Sequence, residues 1–348
     1  MEGVTLKLSG YILFSFILSF SFPTIQIANA KGPATSGAVI LKQTSGARAL
    51  GMGEAFVALA DDVNCLYWNP AGLTQIRNHE VSMMYLDGLV DSWFGFVVYA
   101  YPLGAKGRKQ RRKITRVRKV SKPQKYYGTI ALGVTVFQAG KITLDPEGKT
   151  VVAEQDYLVT LGYGYPLWRG IVKRRRGLRF EEREQSIISL GLNVKIISST
   201  LVEDYSAMAY AGDFGVLGKF LLGSNSLGVG VAVQNIGTKL KFEEEGDPLP
   251  LTIRAGSSYL MSFGKEHSLA VAVEGVKPND NDFRGNIGAE YWYKEIFALR
   301  SGYKIGYDLD GFTAGVGFNW KGYGLDYGWG MMATKMGDNH RVSFTARF

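Results

Sequence analysis

The chain has 348 residues, 46% of them hydrophobic and 13% aromatic, and a formal charge of +9. Its one cysteine, Cys65, excludes an intrachain disulfide or a cysteine-built metal centre, and His79, His267 and His340 lie too far apart for zinc spacing, so no metal or cofactor is expected. Glycine, at 44 residues, is well above the usual ~7%, while proline is scarce at 10, a balance that suits closely packed β-structure better than disorder.

Residues 1–30 have the form of a signal peptide. Lys7 supplies a basic start, residues 11–22 an apolar run, and Ala28-Asn29-Ala30 a small-residue cleavage site before Lys31. No later stretch approaches the ~18 uncharged apolar residues of a membrane-spanning helix. An exported chain of this kind ends in the periplasm, outside the cell, or in the outer membrane as a β-barrel.

Residues 31–78 form a polar leader followed by GARALGMGEAFVALADDVNCLYWNPAGL at 46–73. Apolar Leu50, Phe56 and Val57 are crowded among Gly46, Gly51 and Gly53, so backbone can approach backbone closely. The spacing predicts a short helix over 54–60 that ends at Asp61-Asp62. Tyr67 and Trp68 then precede Asn69-Pro70-Ala71-Gly72, which reads as a turn: proline fixes φ, and glycine tolerates positive φ. Such a compact segment suits a confined space. Gly51-Met52-Gly53 lacks the strand, third glycine and lysine of a nucleotide loop. Asp61, Asp62 and Asn64 lack the spacing of a calcium loop.

From 79 to 348 the pattern changes to period-2 alternation, in fourteen segments of roughly ten residues, the length of a membrane-barrel strand. They fall at 79–87, 91–102, 126–138, 154–166, 185–198, 206–218, 225–236, 250–262, 266–277, 284–293, 295–305, 311–320, 322–331 and 339–348. In the clearest, Phe312, Ala314, Val316, Phe318 and Trp320 alternate with Thr313, Gly315, Gly317 and Asn319. Alternation alone also fits a soluble β-sandwich. Long strands, Tyr- and Trp-rich strand ends and a final Phe348 favour an all-β transmembrane antiparallel barrel. The last strand resembles the carboxy-terminal signal read by the outer-membrane assembly machinery.

An even strand count puts both ends of the barrel on the periplasmic side. Acidic connections at 243–247, 278–282 and 308–310 are then extracellular, and short turns at 292–294 and 321–322 periplasmic. Two periplasmic connections depart from this pattern. Residues 103–125 hold eleven Lys or Arg and no acid, and residues 168–184 hold seven against three Glu. An exported chain offers them no nucleic acid. Anionic lipid head groups or an acidic periplasmic partner are the candidate contacts, and a solvated spacer is the plain alternative.

If apolar side chains face lipid, then Arg254, Glu274, Glu290, Arg300 and Asp326 face the lumen, together with Glu80, Asp213, Lys304 and Arg341. Arg254, Glu274, Glu290 and Arg300 fall on four successive strands, where opposite charges can pair across the wall. They would form a bracing ion-pair network or, alternatively, a polar conduit or an anchor for the amino-terminal segment. No nucleophile grouping stands out, and no enzymatic activity is expected.

The residues at 46–73 resemble the amino-terminal signature of the PorV/PorQ group, relatives of the FadL-like outer-membrane proteins. The resemblance implies a fourteen-stranded barrel plugged by a hatch. Its hatch residues here would be Gly51, Gly53, Phe56, Asp61, Asp62, Trp68, Asn69, Pro70, Ala71 and Gly72. It implies passive transport of hydrophobic small molecules or, alternatively, a type IX secretion accessory that binds exported proteins. The partners implied are outer-membrane lipids, the assembly machinery through Phe348, and a hydrophobic ligand or a secreted cargo.

Overall fold

In the computed structural model, residues 36–88, 91–104, 126–143, 148, 150–176, 179–264, 266–332 and 337–348 are described. The strands in chain order are β1 (Glu80–Asp87), β2 (Trp93–Leu103), β3 (Gly128–Gln138), β4 (Lys141–Thr143), β5 (Thr150–Val152), β6 (Glu154–Arg176), β7 (Arg179–Leu201), β8 (Tyr205–Leu222) and β9 (Asn225–Gly237). They continue with β10 (Leu240–Lys241), β11 (Gly246–Asp247), β12 (Thr252–Phe263), β13 (His267–Pro278), β14 (Arg284–Tyr293), β15 (Phe297–Ile305), β16 (Asp310–Trp320), β17 (Tyr323–Met332) and β18 (Asn339–Arg347). Fourteen of them close into one antiparallel barrel; β4 with β5, and β10 with β11, form two small hairpins in its connections. Closure comes from β1, which pairs with β2 on one side and β18 on the other. Within the closed part of the barrel each strand is paired on both sides, so its ladder groups find partners without water.

The alternation of the sequence is the inside–outside alternation of the wall. Met83, Tyr85, Val97, Leu161, Val194 and Leu299 are among the large apolar side chains on the outer face. Such a surface is built to be covered by lipid. The inner face is small, polar or charged over part of the wall, as at Gly191, Gly215, Arg254 and Glu290, and apolar over another part, as at Met84, Phe94, Phe96 and Ile197. Two-residue turns keep the strands in register where they can. Lys321 and Gly322 both take positive φ, at 51° and 93°, matching the twist of the hairpin they join.

Twelve of the fourteen expected segments lie within a few residues of the observed strands at both ends; the one at 154–166 runs on to Arg176, and the one at 185–198 begins earlier, at Arg179. The departure is at 168–184, expected as a basic connection. Here β6 and β7 each run for 23 residues and stay paired through Arg176↔Arg179, with register shifts at Pro166/Trp168 and Gly170/Ile171. The backbone register sets Arg174 opposite Glu181 and Lys173 opposite Glu182. The charge run hid a strand period. The other basic connection falls, from 105 to 125, outside the described residues.

Candidate functional site

The described residues before β1 run inside the barrel, from the end opposite the one where β1 begins. The Ser36 hydroxyl donates to Asp280, and the Gly37 N–H donates to the Pro248 carbonyl at 3.0 Å, both in connections at the far end. A 3-10 turn at Val39–Leu41, a helix at Ala47–Gly51, a second at Cys65–Trp68 and a 3-10 helix at Pro70–Gln75 follow. The segment leaves at the near end, where the Tyr126 hydroxyl meets the carbonyls of Leu73, Thr74 and Ile76.

The helix expected over 54–60 does not form. Gly53, Glu54 and Ala60 take positive φ, at 62°, 63° and 38°. The N–H groups of Phe56 and Val57 donate instead to the Glu274 carboxylate of the wall, each at 2.8 Å. A wall side chain has replaced the helical partner. At the Asn-Pro-Ala-Gly stretch the expected turn is the start of a 3-10 helix, with Pro70 in its first turn. The Asn69 side chain accepts from Ala71 N–H at 3.1 Å and donates to the carbonyls of Val57 and Val216 at 3.0 and 3.1 Å, one within the segment and one on the wall. Gly72 is not in the left-handed region; it is glycine because a Cβ would collide with the Ala60 carbonyl and lie 2.8 Å from Cys65 Cβ.

A row of inward glycines receives the segment. Gly164, Gly191 and Gly215 stand side by side on β6, β7 and β8, Gly230 and Gly256 on β9 and β12, Gly288 and Gly302 on β14 and β15, and Gly315 and Gly328 on β16 and β17. A Cβ on Gly328 would strike Ala47, on Gly288 Met52, on Gly230 Val57, on Gly215 Asn69 and on Gly191 Pro70 and Ala71. Gly51 packs on Gly315 in the same way, and Gly53 on the backbone of Ile287 and Tyr303. Backbone against backbone is the closest approach a chain can make.

Charges clamp the same contact. Arg48 reaches Asp61 at 2.7 Å, Asp62 at 2.9 Å and Glu290 at 2.7 Å; Arg300 lies 2.6 Å from Glu290 and 2.7 Å from Asp326. Glu54 is 3.0 Å from Lys304 and 3.4 Å from Arg341, and Arg254 pairs with Glu274 at 2.7 Å. Of the five lumen charges, Glu290, Arg300 and Asp326 thus meet in one network with the segment, and Arg254 with Glu274 in another. Arg48 and Glu54, the partners supplied by the segment, were missed; a charge set among small apolar residues was the available signal. Trp68 and Phe56 are fully buried, their ring centroids 6.1 Å apart, with the Arg254 guanidinium 4.9 Å over the indole. Trp68 therefore offers no face to a permeant, whereas Tyr67 does line a cavity.

Two cavities lie between the segment and the far-end connections. The larger, about 370 Å³, is polar and includes Tyr67, Arg284 and Tyr307 in its lining. The smaller, about 200 Å³, is lined by Leu86, Trp93, Phe94, Phe137 and Met332 with a polar rim. Asp280, on a connection beside the larger cavity, would be raised by burial, but the Ser36 hydroxyl and the Lys42 ammonium, 2.9 Å away, hold its carboxyl below the usual value. Each histidine sits at a strand end and bonds a tyrosine hydroxyl: His79 with Tyr99, His267 with Tyr291 and His340 with Tyr327, at 2.6 to 2.7 Å. Among the described residues no group of three His, Cys, Asp or Glu is placed to hold a metal ion.

No family model matches the sequence, and no curated protein matches it. Solved structures do. The toluene transporter TbuX of Ralstonia pickettii superposes with a TM-score of 0.50 at 12% identity, covering 87% of this chain and 98% of that one. A deltaS2 mutant of the monoaromatic hydrocarbon channel TodX gives 0.50 at 11%, covering 87% and 97%. These two proteins share its fold. At such identity the likeness extends to the fold and no further.

Proposed function

We propose that the chain is an outer-membrane channel for small hydrophobic molecules, closed at rest by residues 46–76 acting as a hatch. The observation that carries this reading is a self-closed wall around a segment that it holds only by side chains and close contacts. Such a segment can shift without opening the ladder. The 200 Å³ cavity supports the substrate class: its aromatic and aliphatic lining is of the kind that admits benzene into an apolar cavity of about 150 Å³. TbuX and TodX, which share the fold, are described as a toluene transporter and a monoaromatic hydrocarbon channel.

On this reading the leader peptide directs export, and the near end of the barrel faces the periplasm. Phe348 engages the assembly machinery, and the acidic connections face outward. The basic stretches 103–125 and 168–184 then lie where anionic lipid or an acidic periplasmic partner can meet them. The test is toluene uptake by cells carrying the wild-type protein, the Gly72→Val variant or neither. Wild type is expected to exceed the empty cells. Gly72→Val, whose side chain forces Ala60 and Cys65 apart, is expected to admit larger solutes as well. Equal uptake in all three removes the transport reading and leaves the PorV-like secretion accessory implied by the sequence resemblance.

A further inference from the structure

The larger cavity calls for a different ligand. Six cations line it: Lys42, Lys195, Arg254, Arg284, Lys304 and Arg341. Five carboxylates answer them. Asp280 pairs with Lys42 at 2.9 Å, Asp213 with Lys195 at 2.8 Å and Glu274 with Arg254 at 2.7 Å, while Glu54 and Asp310 serve Lys304 and Arg341. Arg284 is left over. Among the described residues its buried Nε has no hydrogen-bond partner. Its guanidinium lies 4.6 Å over the Tyr307 ring, and the Lys304 ammonium lies 4.7 Å from that same ring. An aromatic face orients a guanidinium while leaving its in-plane N–H donors available.

The rest of the lining narrows the class. The Gln234 amide and the Thr44 and Thr252 hydroxyls are already bonded within the protein, but Gln43, Asn281 and Asn339 also bring side-chain amides to the cavity. A hydrocarbon there would strip water from these groups and return no hydrogen bonds, a costly exchange. A neutral polar ligand would leave the Arg284 charge unanswered. A dianion would exceed the single surplus charge. The volume, about 370 Å³, is within the ~300–1,000 Å³ of small-molecule sites. We propose that this cavity binds a small hydroxylated monocarboxylate of the sugar-acid class, its carboxylate on Arg284 and its hydroxyls on the amides. The site adjoins the apolar cavity, with which it shares Gln43, Met332 and Asn339, but its binding needs no passage through the barrel, so it stands or falls independently of toluene uptake.

The experiment is calorimetric titration of the purified full-length protein in detergent with glucuronate, glucose and inorganic phosphate. Glucuronate is expected to bind saturably, one per barrel. Arg284→Gln is expected to weaken it by about tenfold or more, the loss of one charge-assisted contact, and Arg284→Lys by less. Unchanged migration of the unboiled barrel on gels shows that each variant is folded. The proposal is overturned if glucuronate does not saturate or if Arg284→Gln binds as wild type does. It is equally overturned if glucose binds as tightly as glucuronate, or if phosphate binds more tightly, which would make the site one for inorganic anions.

Discussion

The wall and the segment inside it are held together by different physics. The wall is a continuous ladder in which each strand satisfies its neighbours, and its register runs unbroken through most of the barrel. The segment has helical turns of only five, four and six residues, too short to persist alone. Its backbone leans on wall side chains instead. Ala47 N–H donates to Ser343, Gly53 N–H to Thr313, Val63 N–H to Glu80, and Phe56 and Val57 N–H to Glu274. One region is therefore self-sufficient and the other borrowed. Changing a single inward side chain should release the segment while leaving the barrel intact.

Glu290→Gln should break that comparison most strongly. The carboxylate is 2% exposed and sits between Arg48 of the segment and Arg300 of the wall. Neutralising it leaves two buried guanidiniums sharing fewer anions, a change that costs about 3 kcal/mol where an ion pair is broken inside a protein. Brief trypsin treatment should then cut after Arg48 in the variant and not in the wild type, with both barrels migrating alike on unboiled gels. Loss of the barrel form itself would mean that the network braces the wall and not the segment.

Asn69→Ala is a milder break in the same place. It deletes the bond to Ala71 N–H and both donations to Val57 and Val216. A lost cap and an unsatisfied buried carbonyl together cost about 1–2 kcal/mol. Amide exchange should rise over 57–72 and stay unchanged in β8, since the Val216 ladder bonds do not involve the side chain. Equal exchange in the two proteins would place the hold on the segment elsewhere, in the glycine contacts.

The two regions also differed in how far the sequence exposed them. The wall was legible because a strand writes its environment at every second residue, as in Phe312 to Trp320. Only the β6–β7 extension escaped, where Arg and Glu at facing positions replaced the apolar alternation. The segment was legible as a compact unit, from its glycines and the Asn-Pro-Ala-Gly stretch, but its conformation was not. Residues 54–60 carry helical spacing, yet they fold around Glu274, a partner some 200 positions away that no local pattern announces. The inward glycines of β6 to β17 looked like small residues on a strand. Their meaning depends on a second chain segment pressed against them.

The weakest expected effect sharpens the comparison at the point where the segment begins. Asp280 holds Ser36 and Lys42 to the far-end connections, and its carboxyl is held below the ordinary value by these two partners. A group whose pKa is depressed on folding stabilises the fold fully above its unfolded value, ~3.9, and loses that contribution as the pH falls through the folded value below it. Lys42 is partly exposed, at 33% of its side chain, so solvent screens the pair and its contribution is under about 1 kcal/mol. Hydrogen exchange over 36–42, normalised for intrinsic rates, should therefore be flat from pH 7 to pH 5 and rise only below pH 4. The barrel strands should show no change over the same range. Asp280→Asn should raise exchange at all pH values and abolish the acid rise, because the amide has no proton to gain in that window. An acid rise of equal size in the variant would assign the effect to another carboxylate and free the leader from this tether.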